Sequence, residues 1–87
     1  MIKLHRYWIQ FDASSNITDS ELSLGCGITA YSKEDAMIIL KENVADVPNI
    51  INIEEDVNIN SLDEGHVIRR MGIVSNRGVW FPRKYES

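Results

Sequence analysis

Residues 2–11, IKLHRYWIQF, alternate apolar and polar positions at the two-residue period of a strand, with Tyr7, Ile9 and Phe11 on one face and Arg6, Trp8 and Gln10 on the other. The first set is expected inward, which leaves Trp8 exposed. Residues 12–20, DASSNITDS, gather turn formers that reverse the chain. Alternation resumes over residues 22–30, LSLGCGITA, where Leu22, Leu24, Cys26, Ile28 and Ala30 share one face and Ser23, Gly25, Gly27 and Thr29 the other. That second face is nearly bare, so an aromatic such as Trp8 or Trp80 has room to lie across the strand.

The period then changes to that of a helix. YSKEDAMIILKENVAD sets Ala36, Met37, Leu40 and Val44 on one stripe with Ile39 beside it, Ser32 as N-cap and Asp35 three residues on. Pro48 disfavours helix in the residue before it, so the helix runs about three turns and ends by Val47. Residues 50–59 are rich in isoleucine and valine, with Ile51, Ile53, Val57 and Ile59 on one parity across Glu54, Glu55 and Asp56, and read as one bent strand or two short ones. Ser61, Leu62, Asp63 and Glu64 repeat the capping signature, which predicts a short helical turn over residues 62–71 stopping at Gly72. SNRG at 75–78 marks a turn before Val79, Trp80 and Phe81, the strand that closes the sheet ahead of Pro82. The order β-β-α-β-turn-β fits one small α+β domain, residues 1–87, with one helix packed on a mixed or antiparallel sheet. The expected arrangement is β-grasp-like, with a split ferredoxin-like form lacking its last helix as the second choice.

Composition confirms that such a core can form: 44% hydrophobic and 25% charged residues belong to a folded globular chain. His5, Arg6 and Gln10 interrupt the apolar start, and no segment approaches the ~20 apolar residues of a membrane span, so neither a secretory signal nor a membrane partner is expected. Cys26 is the lone cysteine and has no internal disulfide partner, which fits a cytoplasmic protein.

Charge changes the picture more. Residues 1–64 carry four Lys and Arg against twelve Asp and Glu, and residues 65–87 five against one, so a body of −8 is offset by a tail of +4 to give −4 overall. Nucleic acid is disfavoured as a partner because phosphate binding needs a basic face, which only Arg69, Arg70, Arg77, Arg83 and Lys84 could build. A basic protein suits the body better, since carboxylates attract and steer Lys and Arg surfaces. The expected contact residues are Asp12, Asp19, Glu21, Glu54, Glu55 and Asp56, joined by Trp8, Arg69, Arg70 and Arg77, because Arg and Trp concentrate where binding energy does. A solvated acidic surface, and packing of arginine on Trp80, are the plainer readings of the same residues.

Catalysis has weak support. Cys26, His66 and Asp63 supply the residue types of a nucleophilic set, but the inward parity of Cys26 marks a buried thiol with a raised pKa. Zinc would need about four close ligands, and Cys26, His5 and His66 are far apart in sequence. Glu54, Glu55 and Asp56 on a straight strand alternate faces and cannot converge on a cation without a bulge. GCG lacks the lysine and hydroxyl spacing of a phosphate loop. No metal or cofactor is expected.

The segments RYWIQFD, LGCGITAYSKEDAMIIL, LDEGHVIRRMG and RGVWFP resemble a family of small, uncharacterised bacterial proteins. Size and acidity are also similar to immunity proteins, which block a toxin by binding it. The acidic body and the lack of a convergent catalytic set lead to a non-enzymatic protein-binding module, an immunity-type inhibitor or another acidic modulator of a basic, toxin-like protein, and the resemblance assigns no catalytic residue. A small enzyme or ligand-binding domain using Cys26 and His66, and a homo-oligomer paired through an edge strand or the Trp8 face, are the alternatives.

Overall fold

Ser32 begins the helix as expected: its backbone is extended and its side-chain oxygen accepts the Asp35 N–H at 3.1 Å. In the computed structural model, which describes residues 3–12, 22–44, 47–62, 64–65, 67–68, 71–72, 74–82 and 85, this helix is α1, Lys33–Asn43. It ends where the Val44 N–H still reaches the Leu40 carbonyl but Val44 itself is extended. The inward stripe holds, since Ala36, Ile39, Leu40 and Val44 are buried and Met37 is partly buried.

Four strands form the sheet: β1 His5–Phe11, β2 Cys26–Ala30, β3 Ile50–Glu55 and β4 Gly78–Phe81. Their spatial order is β3-β1-β2-β4 and every pairing is antiparallel. The α+β class stands, with the antiparallel of the two sheet types. Because β2 and β3 both oppose β1, they run parallel to each other, and β2-α1-β3 is a split βαβ crossover with β1 between its strands. A β-grasp places its first and last strands side by side at the centre, whereas here the β1-β2 hairpin holds the centre and β3 and β4 the edges.

The sheet separates two clusters. On the α1 face lie Tyr7, Ile9, Phe11, Cys26, Ile28, Ala30 and Val79. On the other face Trp8, Trp80 and Phe81 gather with Val57 and Val67, and Ile59, Leu62, Met71 and Val74 pack around them. Trp8 is therefore buried, at 7% exposure, and the expectation that it faces solvent is corrected. The bare face of β2 is what admits the indoles. A side chain at Gly25 would stand 2.5 Å from Trp8 Cζ2, and one at Gly27 would strike the Trp80 ring. Gly25 also has φ +134°, a conformation that residues with a Cβ rarely adopt.

Two β-bulges break strict alternation, and the one in β3 overturns the expected parity. Gly27 pairs with Phe81 and Ile28 with Val79, so Trp80 stands unopposed; Trp80 and Phe81 then both join the second cluster while Val79 faces α1. Gln10 pairs with Asn52 and Phe11 with Ile50, which leaves Ile51 unopposed and 64% exposed. Ile51 thus shares no face with Ile53, which packs against the first cluster, or with Val57, which belongs to the second. β3 stops at Asp56, whose φ of 55° turns the chain. A further 3-10 turn, Ile59–Ser61, capped by Asn58, precedes the predicted helical turn, of whose described residues Glu64, Gly65 and Val67 lie in turns and Ile68 in 3-10 conformation. Residues 63, 66, 69 and 70 of the predicted 62–71 turn lie outside the described residues.

Candidate functional site

The acidic end of β3 divides between the two faces of the sheet. Glu54 pairs directly with Trp8 in the β1-β3 register, and Glu55 with Tyr7, so the two carboxylates point to opposite sides, as strand geometry requires. Glu55 accepts the Tyr7 hydroxyl at 3.0 Å. Burial, reinforced by that carboxylate, pushes the Tyr7 phenol up to about 12. Asp56, swung round by its positive φ, meets His5 Nδ1 at 2.8 Å. The chain turn thus achieves a convergence that a straight strand forbids: one ligand atom each from His5, Glu55 and Asp56 lies within 4.8 Å of the others. These three are the described residues that could hold a metal, though exposed acidic groups often meet in this way without one. The meeting of His5 and Tyr7 with the β3 carboxylates escaped the sequence reading, because nothing local says that β3 docks on β1 in this register.

On the other face, Trp8 forms one wall of an open groove of roughly 380 Å³, lined further by Gln10, Leu24, Glu54, Val57, Leu62 and neighbouring residues. The indole stacks on Trp80, with ring centroids 5.9 Å apart at 27°, and tilts against Phe81 at 5.7 Å. Asp12 lies at the opposite end of β3, where its N–H donates to the Asn49 carbonyl at 2.7 Å. Asp19, Glu21, Arg69 and Arg70 lie outside the described residues.

Arg77 is placed where the sequence could not put it. Its Nε donates to Asp35 Oδ2 at 2.9 Å and its Nη2 to Oδ1, a two-point bond to the first turn of α1. Its guanidinium lies 5.7 Å from the centre of the Tyr31 ring, so the aromatic partner is Tyr31 rather than Trp80. Asp35 also accepts the Tyr31 N–H at 3.0 Å. The hydrogen bonds from Arg77, stronger than the opposing effect of burial, hold the Asp35 carboxyl below its usual range. A carboxyl lowered in the folded state stabilises the fold above its unfolded pKa of about 3.9 and loses that contribution as pH falls through the folded value. Wild type is therefore expected to lose more stability than Arg77→Ala between neutral pH and about pH 2, as read from urea midpoints. Equal losses would show that the pair does not act in the fold.

Cys26 is fully buried in β2, and burial pushes its thiol up to about 12. His66 and Asp63, its suggested partners, lie outside the described residues. Thiol labelling of the native protein at neutral pH is expected to be slow and to become rapid in denaturant. Rapid labelling of the folded chain would restore Cys26 as a nucleophile.

Among the described residues no helix is long and apolar enough to cross a membrane. No family model, curated protein or solved structure matches the chain.

Proposed function

We propose that this chain is a non-enzymatic, cytoplasmic protein-binding module, most concretely an immunity-type inhibitor of a basic, toxin-like protein, and that the β3 edge is central to its contact surface. The observation that carries this reading is the character of that edge. No residue of β3 is buried, Ile51 stands out at the bulge, and Glu54, Glu55 and Asp56 offer carboxylates on both sides of the strand end. An apolar centre flanked by acidic groups complements a partner bearing Lys and Arg around an apolar patch.

The same edge disfavours self-association. The bulge at Ile51 interrupts the ladder that pairing of two copies through β3 would need. The burial of Cys26 supports a binder over an enzyme. Arg77, engaged by Asp35, contributes to the fold more than to a contact.

The test is calorimetric titration with the basic products of genes neighbouring its own. Binding is expected to weaken as salt rises and to be abolished by combined reversal of Glu54, Glu55 and Asp56 to lysine. If no neighbouring product binds at low salt, the immunity reading falls; salt-insensitive binding that survives charge reversal would remove the acidic edge from the interface. Light scattering over a dilution series that shows a stable dimer would favour the homo-oligomer instead.

A further inference from the structure

We infer that the groove beside Trp8 is the anchor site of this surface and that it takes an arginine side chain of the partner. The inference rests on the reading of the chain as a binder of basic proteins and specifies which basic group it grips and where.

Three features of the groove select arginine. Its lining mixes apolar carbons of Trp8, Leu24, Val57 and Leu62 with a larger share of polar surface from groups such as Gln10, Glu54 and Ser61, and suits a long side chain with an aliphatic stem and a polar head. Glu54 sits on the same face as Trp8 and directly opposite it across the β1-β3 ladder, so a cation entering beside Trp8 reaches a carboxylate without crossing the sheet. Glu54 makes no ion pair among the described residues, and no cation of the described residues lines the groove. A planar guanidinium on an aliphatic stem satisfies both demands, because the stem lies along apolar carbons and the head donates two parallel hydrogen bonds to a carboxylate. Ser61 and Gln10 add hydroxyl and amide acceptors at the rim.

The concavity gives the direction of insertion. Trp8 is only 7% exposed and is held from behind by Trp80 and Phe81, so it forms a fixed wall and does not project as an anchor itself. A volume of roughly 380 Å³ is room for one long side chain, and the partner must supply it.

The full chain, ¹⁵N-labelled, would be titrated with a short capped peptide containing one arginine, and in parallel with the same peptide carrying citrulline or norleucine. The arginine peptide is expected to shift the Trp8 indole N–H and the Glu54 amide in a saturable way. Citrulline, which keeps the shape and loses the charge, and the Glu54→Gln variant titrated with arginine, are each expected to bind about tenfold more weakly. Norleucine shifts equal to those of arginine would make the groove a general apolar site and overturn the inference. So would full affinity in Glu54→Gln, or a Trp8 signal unmoved by millimolar arginine peptide. If a basic protein binds and shifts the Ile51 edge while Trp8 stays silent, the anchor site fails and the acidic-surface reading survives; if neither peptide nor basic protein binds at low salt, both fall.

Discussion

Replacing Trp80 with alanine is expected to remove about 3–5 kcal/mol of stability, the range for deleting a large buried aromatic. The indole is fully buried, stacks on Trp8 and packs with Phe81 and Val57, so no water can fill its place without wetting the second cluster. For a domain of this size each kilocalorie is worth about 4–8 °C, which makes the loss roughly 12–40 °C in melting temperature. Natural domains hold only about 5–15 kcal/mol in all, so this variant sits near the limit of folding. Trp80→Phe separates the contributions. The Trp80 Nε1 is buried without a hydrogen-bond partner among the described residues, so the ring is held for its area and stacking, and phenylalanine keeps much of both while deleting an unsatisfied donor. Its melting temperature is expected well above that of Trp80→Ala. A Trp80→Ala protein that melts within a few degrees of wild type would mean that the second cluster contributes little to the fold.

How far the sequence reveals this fold depends on which signals are local. The helix and its Ser32 cap are written in contiguous residues, and so is the glycine face of β2 that receives the two indoles. The bulges at Ile51 and Trp80 are not, because a bulge is a property of a pairing and the partner strand lies tens of residues away. The error of facing at Ile51 follows from that. Strict alternation puts Ile51 with Ile53, while the pairing pushes Ile51 into solvent.

Trp8 was misread for a different reason. Alternation assigned it correctly to the face opposite Tyr7, but a strand in isolation cannot say that this second face is also covered, here by Val57, Ile59, Leu62 and Val67 and by the bulged β4. The acidic candidates show the same division. That Glu54 and Glu55 part to opposite faces follows from strand geometry, whereas the meeting of Asp56 with His5 needs both the positive φ at Asp56 and the β1-β3 register. Arg77 was legible as a basic residue in a turn, but Asp35 lies 42 residues earlier and only the packing of α1 near β4 brings the two together.

Gly27→Ala is expected to be costly in wild type and harmless once Trp80 is gone. A methyl at Gly27 would meet three carbons of the Trp80 six-membered ring far inside van der Waals contact. The obstruction is not a flexible side-chain end, since the indole is fully buried and held by Trp8, and β2 is fixed between β1 and β4. Overpacking of this kind costs about 1–3 kcal/mol and occasionally more. Unlike Gly25, Gly27 needs no positive φ, so the backbone accepts alanine and the collision is the whole penalty. In a Trp80→Ala background the space is open, and alanine, which loses less backbone entropy on folding than glycine, is expected to be neutral or stabilising by a few tenths to about 1 kcal/mol. The double variant should therefore be more stable than the sum of the single losses by about 1–3 kcal/mol. Urea unfolding of all four proteins measures this, in trimethylamine oxide so that the weakest stays folded. Additive losses would show that the indole does not lie on Gly27, and with that the reason for the bare face of β2, and for the wall that Trp8 presents to the groove, would disappear.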